Sequence, residues 1–234
     1  MSRTQITTEF IDYLAAFKSQ GQVGQLPSLH EISKSLGISV ARLREQLEVA
    51  KALGLVEAKP RIGLRRLPYS FSPAVRQSLS YAIQINPQNF AIYSDLRDQI
   101  EMVYWEEAVK LLTPQDQEEL KELVNSAWDK LRGERVQIPH EEHKQLHLLI
   151  YKRLNNPFVL GLLEAYWEAY EKIGLSIYSD YEYLQKVWEL HQSMVEAICA
   201  GDYGLGYQAL IGHRNLLPHQ TSPGSNGDSN PAST

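Results

Sequence analysis

Three residues, Gly37-Ile38-Ser39, separate two stretches that each carry their own helix-start signal. Ser28 begins the first stretch, and Glu31 three positions on completes a capping box, so that both side chains answer free N–H groups of the opening turn. Ile32 and Leu36 give that helix an apolar stripe, and Gly37 ends it. Ser39 begins the second stretch, which turns Leu43, Leu47, Val49 and Ala50 inward and ends at Gly54. Two helices joined this tightly share an apolar face only by crossing steeply, as in a helix-turn-helix. Ahead of them, "TTEFIDYLAAFKSQ" places Phe10, Tyr13, Leu14 and Phe17 at helical spacing, and "GQVGQLP" breaks it. Behind them, "LVEAKPRIGLRRL" reads as two short strands around a turn at Pro60–Gly63, carrying Lys59, Arg61, Arg65 and Arg66. Three helices followed by a basic hairpin describe a winged helix-turn-helix.

From about residue 72 the chain keeps helical spacing to its end region. The predicted segments are 72–86, 90–112, 114–133, 139–154, 157–174, 180–200 and 202–216. Thr113-Pro114-Gln115-Asp116 is a start signal with a capping hydroxyl, a proline at the first helical position and an acid in the first turn. Asn155-Asn156-Pro157 and Gly201-Asp202 divide neighbouring helices. No alternating strand pattern interrupts them, so this part is an all-helical bundle. The fold class is therefore mainly α: a winged helix-turn-helix over 1–70, an all-helical domain over 71–217, and a disordered tail over 218–234, whose Ser, Gly, Pro and Asn supply almost no apolar surface.

The chain's net charge of −5 argues against nucleic acid until it is divided. Residues 1–70 hold ten Lys and Arg against six Asp and Glu, while 71–234 hold thirteen against twenty-two. A basic front on an acidic body gives the front a reason to meet phosphate. No apolar run approaches the ~20 residues of a membrane span, and "MSRTQITTEF" has no signal-peptide pattern. Cys199 is the only cysteine, which excludes an internal disulfide and reads as a packing residue. These features predict a cytoplasmic protein without membrane contact.

"HEEHKQLH" concentrates three of the chain's seven histidines in residues 140–147. His143 and His147, four apart, share one helix face and reach a common point. His140 follows a proline and reads as a helix-start surface residue. His191 in "WELHQSMVEAICAGDY" and His213 in "ALIGHRNLL" each have apolar neighbours and point inward. From spacing alone two readings stand: four hydrogen-bonded core histidines, or four imidazoles closing on one divalent metal.

The segment "LPSLHEISKSLGISVARLREQLEVAKALGLVEAKPRIG" resembles the DNA-binding domain of GntR-family transcription regulators. "HKQLHLLIYKRLNNPF", "ELHQSMVEAICAGDYGLGYQALIGH", "SDLRDQIE" and "LLTPQDQEEL" resemble the FCD effector domain of the FadR-like branch of that family. The resemblance covers about residues 8–216. It implies a metal site of one Asp and three His, carried here by His147, His191 and His213, with His143 at the Asp position. A four-imidazole shell favours a divalent transition metal such as zinc or nickel, with copper and cobalt also of the right class. Its uncompensated +2 charge favours an anionic effector.

The resemblance further implies operator DNA as partner, read by Ser39, Arg42, Arg44, Arg61, Gly63 and Arg65. Val40 stands where the family often has a base-reading arginine, and Arg42 where proline is common, so the operator sequence is this chain's own. A homodimer reading a short pseudo-palindrome follows from half-site geometry and from the resemblance. The implied effector is a small organic acid. Arg97, which matches a family arginine, either contacts it or pairs with Glu101 one turn on. The aromatic residues Tyr104, Trp105, Tyr166, Trp167, Tyr170 and Trp188 read mostly as core. Effector or metal binding would shift two dimer arrangements about residues 67–75, most simply releasing DNA as a repressor does. The chain is read as no enzyme, since His143-Lys-Gln-Leu-His147 lacks the carboxylate of H-E-x-x-H. Two alternatives remain: a metal-dependent enzyme acting on a small acid, and a winged-helix protein-interaction module.

Overall fold

A computed structural model describes residues 8–18, 24–60, 63–173 and 180–216. The front begins with α1 (Glu9–Ala16), α2 (Leu29–Leu36) and α3 (Val40–Ala52). The capping box of α2 is complete: the Ser28 backbone N–H donates to Glu31 at 2.8 Å, and the Glu31 backbone N–H donates to the Ser28 hydroxyl at 3.3 Å. Gly37 closes α2 at φ 65°, a left-handed conformation that glycine adopts without a Cβ clash. Ser39 then caps α3 by accepting from the Arg42 N–H at 3.1 Å. Strand β1 (Val56–Lys59) pairs antiparallel with β2 (Gly63–Arg66), with Val56 opposite Arg66 and Lys59 opposite Gly63. Phe10, Leu14, Ile32, Leu43, Leu47, Ala50, Val56 and Leu64 form one buried cluster beneath these elements.

Two residues of this front differ from their sequence reading. Val49 is 46 % exposed, and Gln46 is buried in its place. Gln46 is satisfied there because its Oε1 accepts from the Phe10 backbone N–H at 2.8 Å and its Nε2 donates to Glu9 at 2.5 Å. Arg66, read as a basic group for DNA, is instead tied inward. Its Nη1 donates to the carbonyls of Leu14 and Phe17 at the end of α1, where a helix runs short of its own backbone donors.

Among the described residues seven further helices follow: α4 (Ser72–Ile85), α5 (Gln88–Lys110), α6 (Pro114–Arg132), α7 (His140–Tyr151), α8 (Pro157–Ile173), α9 (Tyr181–Ala200) and α10 (Tyr203–Leu216). Among the described residues β1 and β2 are the only strands. The main core gathers Trp105, Leu120, Leu131, Leu146, Ile150, Leu163, Trp188, Met194 and Ile198. A second cluster joins Leu79, Ile83, Phe90, Tyr166, Trp167 and Tyr170 between α4, α5 and α8. Cys199 is half-buried against the main core as a free thiol. No described helix is long and apolar enough to cross a membrane. The expected tail over 218–234 lies outside the described residues.

The segment between β2 and α4 packs on α8, and α4 meets the end of α3. Phe158, near the start of α8, packs edge-on against Phe71 and Tyr69. Gly161 lets the chain before α4 lie directly on α8: a Cβ there would stand 2.7 Å from Phe71 Cβ and Ser72 N. On the front side, the Gln77 amide donates to the Ala52 carbonyl at the end of α3, 3.0 Å away. Two turns beyond Gly161, the same helix carries Trp167 into the bundle interior.

Candidate metal centre and nucleic-acid interface

Four imidazoles meet inside the bundle. His143 and His147 come from one face of α7, His191 from α9 and His213 from the last turn of α10. One nitrogen from each lies within 4.8 Å of the others. His147, His191 and His213 are buried and His143 is half-buried. Nε2 of His147 and Nε2 of His191 are 3.1 Å apart. Two nitrogens bound to one ion at ~2.0–2.1 Å sit roughly 3.0–3.4 Å from each other. The wall is aromatic: Trp167 lies 4.7 Å from His143 and 5.0 Å from His147, and Trp188 lies 4.8 Å from His191.

Burial, and then the neighbouring rings, push His143 and His213 well below the ordinary histidine range; burial and then His147 do the same for His191. Neutral rings keep lone pairs that a proton would otherwise occupy. His143 Nε2, His191 Nδ1 and His213 Nδ1 are buried with no hydrogen-bond partner among the described residues. A set of core histidines kept for packing would satisfy those atoms. Four lone-pair donors in an apolar wall fit a borderline divalent metal.

Around the rings, Glu101 on α5 bridges two partners. Its Oε1 faces His147 Nδ1 at 3.1 Å and its Oε2 accepts from Arg97 Nη1 at 2.8 Å. Burial disfavours the Glu101 charge, but Arg97 and His147 outweigh burial and hold its carboxyl at about 2. Arg97 is itself 2 % exposed, lies against Asp98 at 3.2 Å, and donates to the Tyr166 hydroxyl at 3.1 Å. Of the two roles open to Arg97, the pair with Glu101 is formed; Arg97 Nε and Trp167 Nε1 are buried without a partner among the described residues. The sequence reading missed Glu101 as a neighbour of the histidines. The i, i+4 spacing from Arg97 was visible, but nothing local joins α5 to a ring 46 residues away.

The other carboxylates near the α7 start are engaged elsewhere. Glu142 holds Lys130 at 2.6 Å and accepts from the Ser126 hydroxyl at 2.9 Å, fastening α7 to α6. Glu141 accepts from Gln145 at 2.7 Å. His140, read as a surface residue, is half-buried at the first position of α7.

On the front, Ser39, Arg44, Gly63 and Arg65 are exposed. Gly63 has φ 84° where the hairpin turn enters β2. Arg42 is exposed but paired with Glu9 at 2.5 Å, so α1 holds its guanidinium across the start of α3. Arg61 lies outside the described residues. Leu64 is buried in the front core.

A profile described as the FCD domain matches residues 93–215, a span that contains all four histidines. The HTH-type transcriptional regulator LutR of Bacillus subtilis is 27 % identical over 197 residues, covering 81 % of this chain and 87 % of its own. The HTH-type transcriptional regulator YieP of Escherichia coli is 26 % identical over 188 residues, covering 79 % of this chain and 80 % of its own. Among solved structures, GntR of Streptococcus agalactiae matches the fold with a TM-score of 0.59 at 14 % identity, over 89 % of this chain and 94 % of that one.

Proposed function

Because the chain belongs to the GntR family of transcriptional regulators and carries an FCD domain, we propose that it is a homodimeric repressor whose DNA affinity is set by a divalent metal and a small organic acid. The observation that carries this reading is the meeting of four imidazoles, within 4.8 Å, in the bundle behind a helix-turn-helix. His143, His147, His191 and His213 would hold zinc or nickel. The ion would supply a fixed positive charge that draws a carboxylate into an apolar interior. The unpartnered buried N–H groups of Trp167 and Arg97, beside the rings, support an anionic effector there. For the acid, the contribution of Arg97 is that free Nε; the rest of its guanidinium serves Glu101 and Tyr166.

On the DNA side, Arg44 and Arg65, with Ser39 and Gly63 setting backbone geometry, form the reading surface. Arg42 reaches DNA only by leaving Glu9 or by sharing it. One such front makes few contacts, so two copies on a short pseudo-palindrome are needed for useful affinity. The relatives' names are those of regulators, and no carboxylate lies between His143 and His147; both favour regulation over catalysis.

The test is a gel shift with the chain's own promoter region at several salt concentrations, with and without zinc, against a panel of small mono- and dicarboxylates. Binding that weakens steeply with salt, and that changes at least tenfold with metal or acid, is the expected result. Absence of binding at low salt in every condition would overturn the reading.

A further inference from the structure

Resting on that metal reading, we propose that Glu101 is a positioning residue for the centre: it fixes the His147 tautomer so that Nε2 carries the lone pair turned toward the other imidazoles. A buried carboxylate accepts hydrogen bonds and donates none. At 3.1 Å from Glu101 Oε1, His147 Nδ1 must therefore be the protonated nitrogen. The remaining nitrogen, Nε2, is the one that lies 3.1 Å from His191 Nε2.

Glu101 can do this because both ends of it are held. Its second oxygen is taken by Arg97, whose other amino group donates to the Tyr166 hydroxyl and whose Cζ lies 4.4 Å from the centre of the Tyr166 ring. Its backbone carbonyl accepts from the Tyr151 hydroxyl at 2.9 Å, which ties α5 to α7 one turn beyond His147. Arg97, Glu101 and His147 thus form a chain of contacts running from α8 through α5 to the centre. The arrangement also answers the chemistry of a shell with histidine at its fourth position. The carboxylate charge that four imidazoles lack stands one ring away, where it orients the His147 ring without occupying a coordination position.

The test uses the full chain, loaded with zinc alone. Zinc affinity is measured by competition with a chromophoric chelator, and the His147 tautomer by side-chain 15N shifts. The substitution is Glu101→Gln, which keeps the shape and removes the charge. The unmodified chain is expected to show His147 protonated at Nδ1, and E101Q to bind zinc about 10–100-fold more weakly with a mixed or reversed His147 tautomer. Equal zinc affinity in E101Q and the unmodified chain overturns the proposal and leaves the metal site standing. Should E101Q not fold, the tautomer of the unmodified chain decides alone: protonation of His147 at Nε2 overturns the proposal. An unmodified chain that takes up no zinc overturns the metal reading, and this inference with it.

Discussion

Nε2 of His147, on α7, lies 3.1 Å from Nε2 of His191, on α9, with the two rings turned 84° to each other. Crossed rings with facing nitrogens give two lone pairs one target. The same helix brings His143 to within 4.7 Å of the His191 ring, and α10 brings His213 to 4.5 Å from it. His143 is the least buried of the four and stands where the family resemblance places an aspartate. His143→Asp is therefore expected to keep one ion per chain while moving its preference toward harder metals. The manganese-to-zinc affinity ratio should rise by roughly an order of magnitude, as read by competition against a fluorescent chelator. An unchanged ratio would remove His143 from the coordination shell.

Arg44 is exposed on the first turns of α3 and has no ion-pair partner among the described residues, so it is free for DNA. Arg44→Ala should weaken operator binding by about 1–3 kcal/mol, or roughly 5- to 150-fold, with the melting temperature unchanged. A titration followed by fluorescence anisotropy measures the first and calorimetry the second.

Arg66 makes the opposite prediction. Its guanidinium joins β2 to the end of α1 through the Leu14 and Phe17 carbonyls. Arg66→Ala removes both of these hydrogen bonds and should destabilise the front by about 1–3 kcal/mol. Urea unfolding followed by near-ultraviolet signals from Tyr13 would show it; a variant as stable as the parent would return Arg66 to the DNA surface.

Asp116 gives the pH dependence. Its carboxylate closes the Thr113 capping box of α6 and pairs with Arg153 and Lys152. Arg153 first, then Lys152 and Thr113, hold its carboxyl well below the usual aspartate range despite burial. A lowered folded value means stability that is full above the unfolded value of about 3.9 and is lost as the pH falls through the folded one. Asp116→Asn should therefore cost about 1 kcal/mol at pH 7, a figure reduced by the solvent screening of half-exposed Arg153. The gap between variant and parent should narrow below pH 4. Denaturant melts at both pH values decide it, and an equal gap at each would contradict the assignment.

The helix-turn-helix was legible because its signals are local. Ser28, Glu31, Gly37 and Ser39 each act within one turn, and each does in the structure what its type dictates. The helical start at Thr113-Pro114 was legible for the same reason. The convergence of His143, His147, His191 and His213 could be anticipated only as far as inward faces go, since spacing along one helix says nothing of distances between helices. Glu101 was hidden for that reason. Gln46 and Val49 exchanged places because Glu9 and the Phe10 N–H, on a different helix, give a buried amide its partners. Arg66 looked like its neighbour Arg65, and which of them turns inward depends on the strand's alternation against the end of α1.

The metal content of the purified chain tests the four-histidine centre most directly. Elemental analysis after zinc loading and desalting should give one ion per chain, falling to well under half in His147→Ala and in His191→Ala. The zinc-bound parent should melt above the chelator-treated parent, by the equivalent of about 4 kcal/mol when free zinc is a thousandfold over its dissociation constant. Equal zinc content in the parent and both variants, or none in the parent, would contradict a four-histidine centre.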